Sequence, residues 1–203
     1  KTLKIIKKEI PQLKIKSFNS RKRVFDWKIP DEWNIRDAYI KDHNGKKIVD
    51  FKKNNLSIVN YSTPIKKKIS KNELFKHLYT LKKKPNSIPY VTSYYKKNWG
   101  FCLKHNDLKK FKGNKFLVEI KSSFKKNGKL NYGELIIKGK SKKEILISTY
   151  ICHPSMANNE LSGPLLANYI YKKLKKLEFK TKYSYRFLFI PETIGSIAYL
   201  SKN

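Results

Sequence analysis

Between Ile145 and Ile190 the chain spells a strand, a helix and a strand, and that order leaves few folds open. Ile145-Leu146-Ile147-Ser148-Thr149-Tyr150-Ile151 is an apolar run of the kind buried on both faces of a parallel sheet. A helix is expected next. Ser162 or Gly163 can cap it, Pro164 suits its first turn, and Leu165, Leu166, Tyr169, Ile170, Leu174 and Leu177 fall on one apolar stripe. Tyr185 to Ile190 then reads as a second strand. Two such strands joined through a helix run parallel with a right-handed crossover, so this part of the chain is α/β.

The preceding stretch is built differently. From Phe25 to Ile137 short apolar or alternating runs recur: Ala38 to Ile40, Ile48 to Phe51, Leu56 to Tyr61, Trp99 to Leu103, Phe116 to Ile120 and Gly133 to Ile137. Asn44-Gly45, Lys112-Gly113-Asn114 and Asn127-Gly128 punctuate them as turns. A small β-rich domain is predicted, interrupted by one helix. That helix starts at the capping box Ser70-Lys71-Asn72-Glu73 and carries Leu74, Phe75, Leu78 and Leu81 at helical spacing.

Composition narrows the function classes. Lys and Arg total 47 against 15 Asp and Glu, a formal charge of +32 that would ordinarily suggest nucleic acid. The lysines, however, are scattered over helix surfaces, turns and loops, and Arg, the residue suited to reading phosphate and base edges, occurs only at positions 21, 23, 36 and 186. A solvated face is expected, with no specific nucleic-acid partner. Cys102 and Cys152 are too few for a disulfide framework or a cysteine zinc site, which fits a reducing, cytoplasmic setting. No apolar run approaches the roughly 20 residues of a membrane helix. The chain begins at Lys1, and the apolar periodicity continues from Tyr199 to Asn203 without a stop signal, so a fragment of a longer protein is expected.

Chemistry is expected where both strands of the α/β unit end, because ligands of open parallel sheets bind beyond the carboxyl ends of the strands. The first strand ends in Cys152-His153-Pro154 and the second in Pro191-Glu192. The polar loop Ala157-Asn158-Asn159-Glu160-Leu161-Ser162-Gly163 lies between them and can add oxygen donors. A histidine with carboxylate or carboxamide oxygens suits a first shell for Zn²⁺, and a neighbouring glutamate is what metal-assisted hydrolysis uses as a general base.

Several longer words in the sequence carry a resemblance. Phe25-Asp26-Trp27, Pro30-Asp31-Glu32-Trp33-Asn34-Ile35-Arg36-Asp37-Ala38-Tyr39-Ile40, Ile88-Pro89-Tyr90-Val91-Thr92-Ser93-Tyr94-Tyr95, Trp99-Gly100-Phe101-Cys102, Ser148 to Asn158 and Pro191-Glu192-Thr193-Ile194-Gly195-Ser196 span nearly the whole chain. Together they resemble the bacterial aminopeptidase-like proteins often encoded with polysaccharide-biosynthesis genes, a divergent branch of the zinc aminopeptidase and glutaminyl cyclase superfamily. The resemblance implies a zinc-peptidase-like (phosphorylase/hydrolase-like) mixed sheet with helices, an α/β fold that carries an inserted β-rich domain of unknown function. It assigns residues 1–26 and 138–203 to the peptidase-like part and 27–137 to the insertion.

Carried over by motif, His153 would be the first metal ligand, Glu192 the general base, and Zn²⁺ the cofactor for hydrolysis of a peptide or amide substrate. Asn159 stands where such peptidases place a metal-bridging Asp; its carboxamide oxygen can bind a metal without contributing charge. Thr193 stands where many relatives have a second, metal-binding Glu, and a shift of one position would make Glu192 the ligand instead. The later ligands of the superfamily would lie beyond Asn203. Two other readings remain: a non-catalytic binding or assembly protein that keeps the fold, favoured by Asn159 and Thr193, and nucleic-acid binding through charge. His43, His77 and His105 have no partner at ligand spacing and are expected to be structural. Cys152 is expected to be a small buried residue, and Tyr90, Tyr94, Tyr95, Trp99 and Phe101 to pack a core.

Overall fold

The computed structural model describes residues 1–202. The chain opens with α1 (Thr2–Glu9), β1 (Lys14–Asn19), the short pair β2 (Arg23–Val24) and β3 (Trp27–Lys28), then β4 (Glu32–Lys41) and β5 (Lys47–Asp50). It continues through β6 (Ile65–Ser70), α2 (Lys71–Phe75), β7 (Leu78–Tyr79), β8 (Phe101–Cys102), β9 (Lys115–Lys125) and β10 (Lys129–Ile137). The last part is β11 (Glu144–Tyr150), α3 (Asn158–Lys175), β12 (Ser184–Ile190) and α4 (Ile194–Leu200). Two compact units result: Trp33–Lys125, and Lys1–Glu32 taken together with the segment from Lys126 on. Among the described residues no helix is long and apolar enough to cross a membrane.

The discontinuous unit is α/β. Its sheet has the order β1-β10-β12-β11, with β11 and β12 parallel and the other neighbours antiparallel. Ile145 pairs with Tyr185 and Tyr150 with Ile190, as the strand-helix-strand reading requires. Successive side chains of a strand point to opposite faces, and β12 uses both. Phe187 and Phe189 join Leu3, Ile10, Ala167 and Tyr171 on the side of α1 and α3, while Leu188 and Ile190 join Phe18, Ile29, Tyr132 and Tyr199 on the side of α4. A line of charge also crosses the sheet. Lys16 on β1 donates to Glu134 on β10, Arg186 on β12 donates to Glu134 at 2.5 Å and to Glu144 on β11 at 2.6 Å, and the Tyr199 hydroxyl donates to Glu134 at 2.5 Å.

Three expectations change here. Among the described residues the run from Ile145 to Ile151 is not buried on both faces: β11 ends the strand order and Leu146 stays 54% exposed. The apolar stripe of the helix is divided: Ala167 and Tyr171 are buried and Ile170 and Leu174 pack beside them, whereas Leu165, Leu166 and Tyr169 face outward. Helix α3 also begins at Asn158, before the expected cap, since the amides of Glu160 and Leu161 already bond to the Ala157 carbonyl. Pro164 therefore sits inside the helix, where its missing N–H leaves one main-chain bond unmade near the start of α3.

The continuous unit, Trp33–Lys125, has the sheet order β5-β4-β9-β6 and a small parallel pair, β7 with β8. Its core holds Ala38, Ile40, Leu74, Phe101, Phe111, Phe116, Val118 and Ile120. Gly45 turns the β4–β5 hairpin at φ +79°, a conformation that glycine adopts without steric cost. Ser70 caps α2 by accepting from the Glu73 amide, as its sequence predicts, but the helix ends at Phe75. Leu78 and Tyr79 pair with β8 instead, and the His77 ring stacks on Trp99 at 3.7 Å. Leu56 to Tyr61 is not a continuous strand: Asn55–Ser57 is a 3₁₀ turn, followed by isolated bridges at Ile58 and Asn60. The expected insertion bounds, 27 and 137, differ from the bounds of this unit, because β3 pairs with β2 and β10 pairs with β1 and β12 in the discontinuous unit.

Candidate metal centre

β11 and β12 run parallel and in register, so the residues that follow them emerge side by side at one sheet end. Cys152 and His153 follow β11, and Pro191 and Glu192 follow β12. The main chain links the two exits: the Glu192 amide donates to Cys152 Sγ at 3.1 Å. This arrangement brings His153 and Glu192 together, with Nε2 of the imidazole 3.1 Å from Oε2 of the carboxylate.

The other edge of the same ring faces a second carboxylate. His153 Nδ1 lies 2.5 Å from Oε1 of Glu160, in the first turn of α3. His153 and Glu160 are largely enclosed, their side chains 17% and 13% exposed, while Glu192 is 51% exposed. The Tyr150 ring stands edge-on to the imidazole at 5.5 Å, and its hydroxyl accepts from the Asn159 carboxamide nitrogen at 3.2 Å. The structure thus places Asn159 against Tyr150 and Glu160 against His153. Cys152 Sγ is 3.8 Å from Nδ1, and the donor atoms of Cys152, His153 and Glu160 all lie within 4.8 Å of one another.

The backbone around these groups is forced. Ser155, Ala157 and Thr193 have φ of 60°, 43° and 52°, a region that residues with a Cβ avoid at a cost of about 1–3 kcal/mol each. Two of them shape the turn between His153 and Glu160, and the third follows Glu192. Close packing adds to this constraint. A Cβ on Gly163 would lie 2.2 Å from Thr149 Oγ1, so only glycine lets α3 approach β11 this closely.

Burial pushes the Cys152 thiol up to about 11; the Glu192 amide opposes this, and the Glu160 and Glu192 carboxylates push it further. A thiol held protonated is a poor nucleophile. The remaining donors, one imidazole and two carboxylates, are of the types that bind Zn²⁺. Two donors on one tetrahedral zinc lie roughly 3.3 Å apart, so the His153 and Glu192 pair fits such an ion with little movement. Glu160 is the residue that sequence reading passed over. It lies inside the loop expected to add oxygen donors, but nothing in its spacing singles it out from its neighbours.

A protein of Clostridium acetobutylicum, named for polysaccharide biosynthesis and an aminopeptidase-like domain, is 51% identical over all 203 residues, which make up 46% of its length. A crystal structure from the same organism, described as a peptidase, superposes with a TM-score of 0.93 at 50% identity, covering all of this chain and 47% of the other. The zinc aminopeptidase BSAP of Bacillus subtilis shares the fold at a TM-score of 0.62, with 11% identity over 94% of this chain. The chain spans about half the length of the relatives it matches. Its fold is the aminopeptidase-like α/β fold anticipated from the sequence, and with a family profile matching from residue 1 to residue 203, the chain belongs to the DUF4910 family, a domain of unknown function.

Proposed function

We propose that the chain carries one wall of the metal site of an aminopeptidase-like hydrolase that cleaves a peptide or amide bond. The observation that carries this reading is the 3.1 Å approach of His153 Nε2 to Glu192 Oε2 above two adjacent parallel strands. His153 would hold the metal through Nε2. Asn159, whose amide nitrogen is tied to Tyr150, would offer Oδ1 as a neutral oxygen donor. Bound Zn²⁺ would supply Lewis-acid polarisation of a carbonyl and an acidified water. Glu192, half exposed beside the imidazole, would take a proton from an attacking water and return it to the leaving amine, or, as the 3.1 Å approach to Nε2 also allows, would serve as a second metal ligand instead. A role in polysaccharide biosynthesis extends the same reading from the name of the Clostridium relative. The competing reading, a binding protein that keeps the fold, rests on Asn159 and Thr193 standing where peptidases place acids.

Calorimetric titration with Zn²⁺ separates the two. In the full-length protein wild type should bind zinc, His153→Ala should bind at least about tenfold more weakly, a loss of ~1.4 kcal/mol or more, and Asn159→Asp should bind more tightly by restoring a charge to the site. Equal zinc binding by wild type and His153→Ala would sink the metal-site reading.

A further inference from the structure

Resting on that metal-site reading, we propose that Glu160 is a positioning residue: its carboxylate accepts the Nδ1 proton of His153 and so leaves the Nε2 lone pair on the side of Glu192. A neutral imidazole carries one N–H, and an ionised carboxylate can only accept. Both ring nitrogens face a carboxylate, Glu160 Oε1 at 2.5 Å from Nδ1 and Glu192 Oε2 at 3.1 Å from Nε2; the shorter and more enclosed contact assigns the proton to Nδ1, which leaves Nε2 to share a metal with Glu192. Histidine ligands elsewhere are held in this way by a carboxylate on the far ring nitrogen, which fixes both tautomer and ring orientation.

Cys152 and Asn159 are less suited to this role. Cys152 Sγ is 3.8 Å from Nδ1 and already accepts from the Glu192 amide, while the Asn159 side chain donates to Tyr150. The local backbone is spent on this contact. Ser155 at φ 60° and Ala157 at φ 43° fold the chain back so that a residue seven positions later returns to the ring, and α3 starts early enough to place Glu160 in its first turn, where a carboxylate is favoured by the helix dipole. Edge-on contact from Tyr150 then leaves the imidazole little freedom to flip.

The test is a two-bond ¹H–¹⁵N spectrum of the ¹⁵N-labelled chain loaded with Zn²⁺, read together with zinc titrations. Wild type should show His153 protonated at Nδ1 and metallated at Nε2. Glu160→Ala should lose that single assignment and bind zinc about 10–100-fold more weakly, and the isosteric Glu160→Gln, whose amide oxygen still accepts, should fall between. Circular dichroism of both variants checks that α3 persists. Metal on Nδ1 in wild type would overturn the proposal, as would Glu160→Ala or Glu160→Gln with unchanged ring assignments and unchanged affinity. The metal-site reading survives those results as long as His153→Ala loses zinc; if His153→Ala keeps it, both fall.

Discussion

Gly163 lies in the second turn of α3, a place where alanine ordinarily stabilises a helix by up to about 1 kcal/mol. Here the opposite is expected. An added Cβ would meet Thr149 at 2.2 Å from Oγ1 and 3.2 Å from its Cβ, on a short branched side chain. Gly163→Ala should therefore cost about 1–3 kcal/mol in denaturant unfolding. Thr149→Ala removes the nearer of the two atoms, so most of the loss should be recovered in the double variant. A Gly163→Ala protein as stable as wild type would show that α3 can lift off β11. His153 and Glu192 were legible in the sequence because both follow strands, and strand ends point to one place in a parallel sheet. Glu160 was not, because its return to His153 depends on positive φ at Ser155 and Ala157, a conformation that neither residue type announces.

The charged line across the sheet is the corresponding feature among the strands. Although burial pushes Glu134 up, hydrogen bonds from Lys16, Tyr199 and Arg186 hold its carboxyl below the ordinary glutamate range. A depressed folded value means that this ion contributes stability above the ordinary range and loses it as pH falls through the depressed one. Glu134→Gln should thus lower stability by about 2–3 kcal/mol near neutral pH, less than for a fully buried pair because Lys16 is half exposed. Thermal melts should show the gap between variant and wild type closing as the solution is acidified below the ordinary glutamate range; a gap independent of pH would assign the loss to packing alone. The sequence announced these strands more clearly than their neighbours. Apolar runs identify β10 and β11 as strands, but partner choice is a tertiary matter. Thus β10 joins β12 rather than the β-rich unit, and β11, apolar enough for a centre, ends the strand order among the described residues. The helix that ends at Phe75 instead of Leu81 has the same origin: pairing of Leu78 and Tyr79 with β8 outweighs helical spacing.

For the whole molecule, the informative contrast is between a unit made of one continuous segment and a unit made of two. Every contact within Trp33–Lys125 joins residues of one uninterrupted stretch, whereas the β1–β10 ladder closes across 116 positions where Lys16 pairs with Tyr132. Loop-closure entropy delays such long-range pairings. Pulse-labelled hydrogen exchange during refolding should accordingly protect amides of β4, β6 and β9 before those of β1 and β10; simultaneous protection would contradict that order. On a ribosome the delay becomes literal. At ordinary elongation rates β1 is complete on the order of ten seconds before β10 has been made. Throughout that interval β1 is a nascent strand without its β10 partner. Its sequence is suited to the wait: Lys14 and Lys16 alternate along Lys-Ile-Lys-Ser-Phe-Asn, and charge of this kind on an unpaired edge repels premature partners.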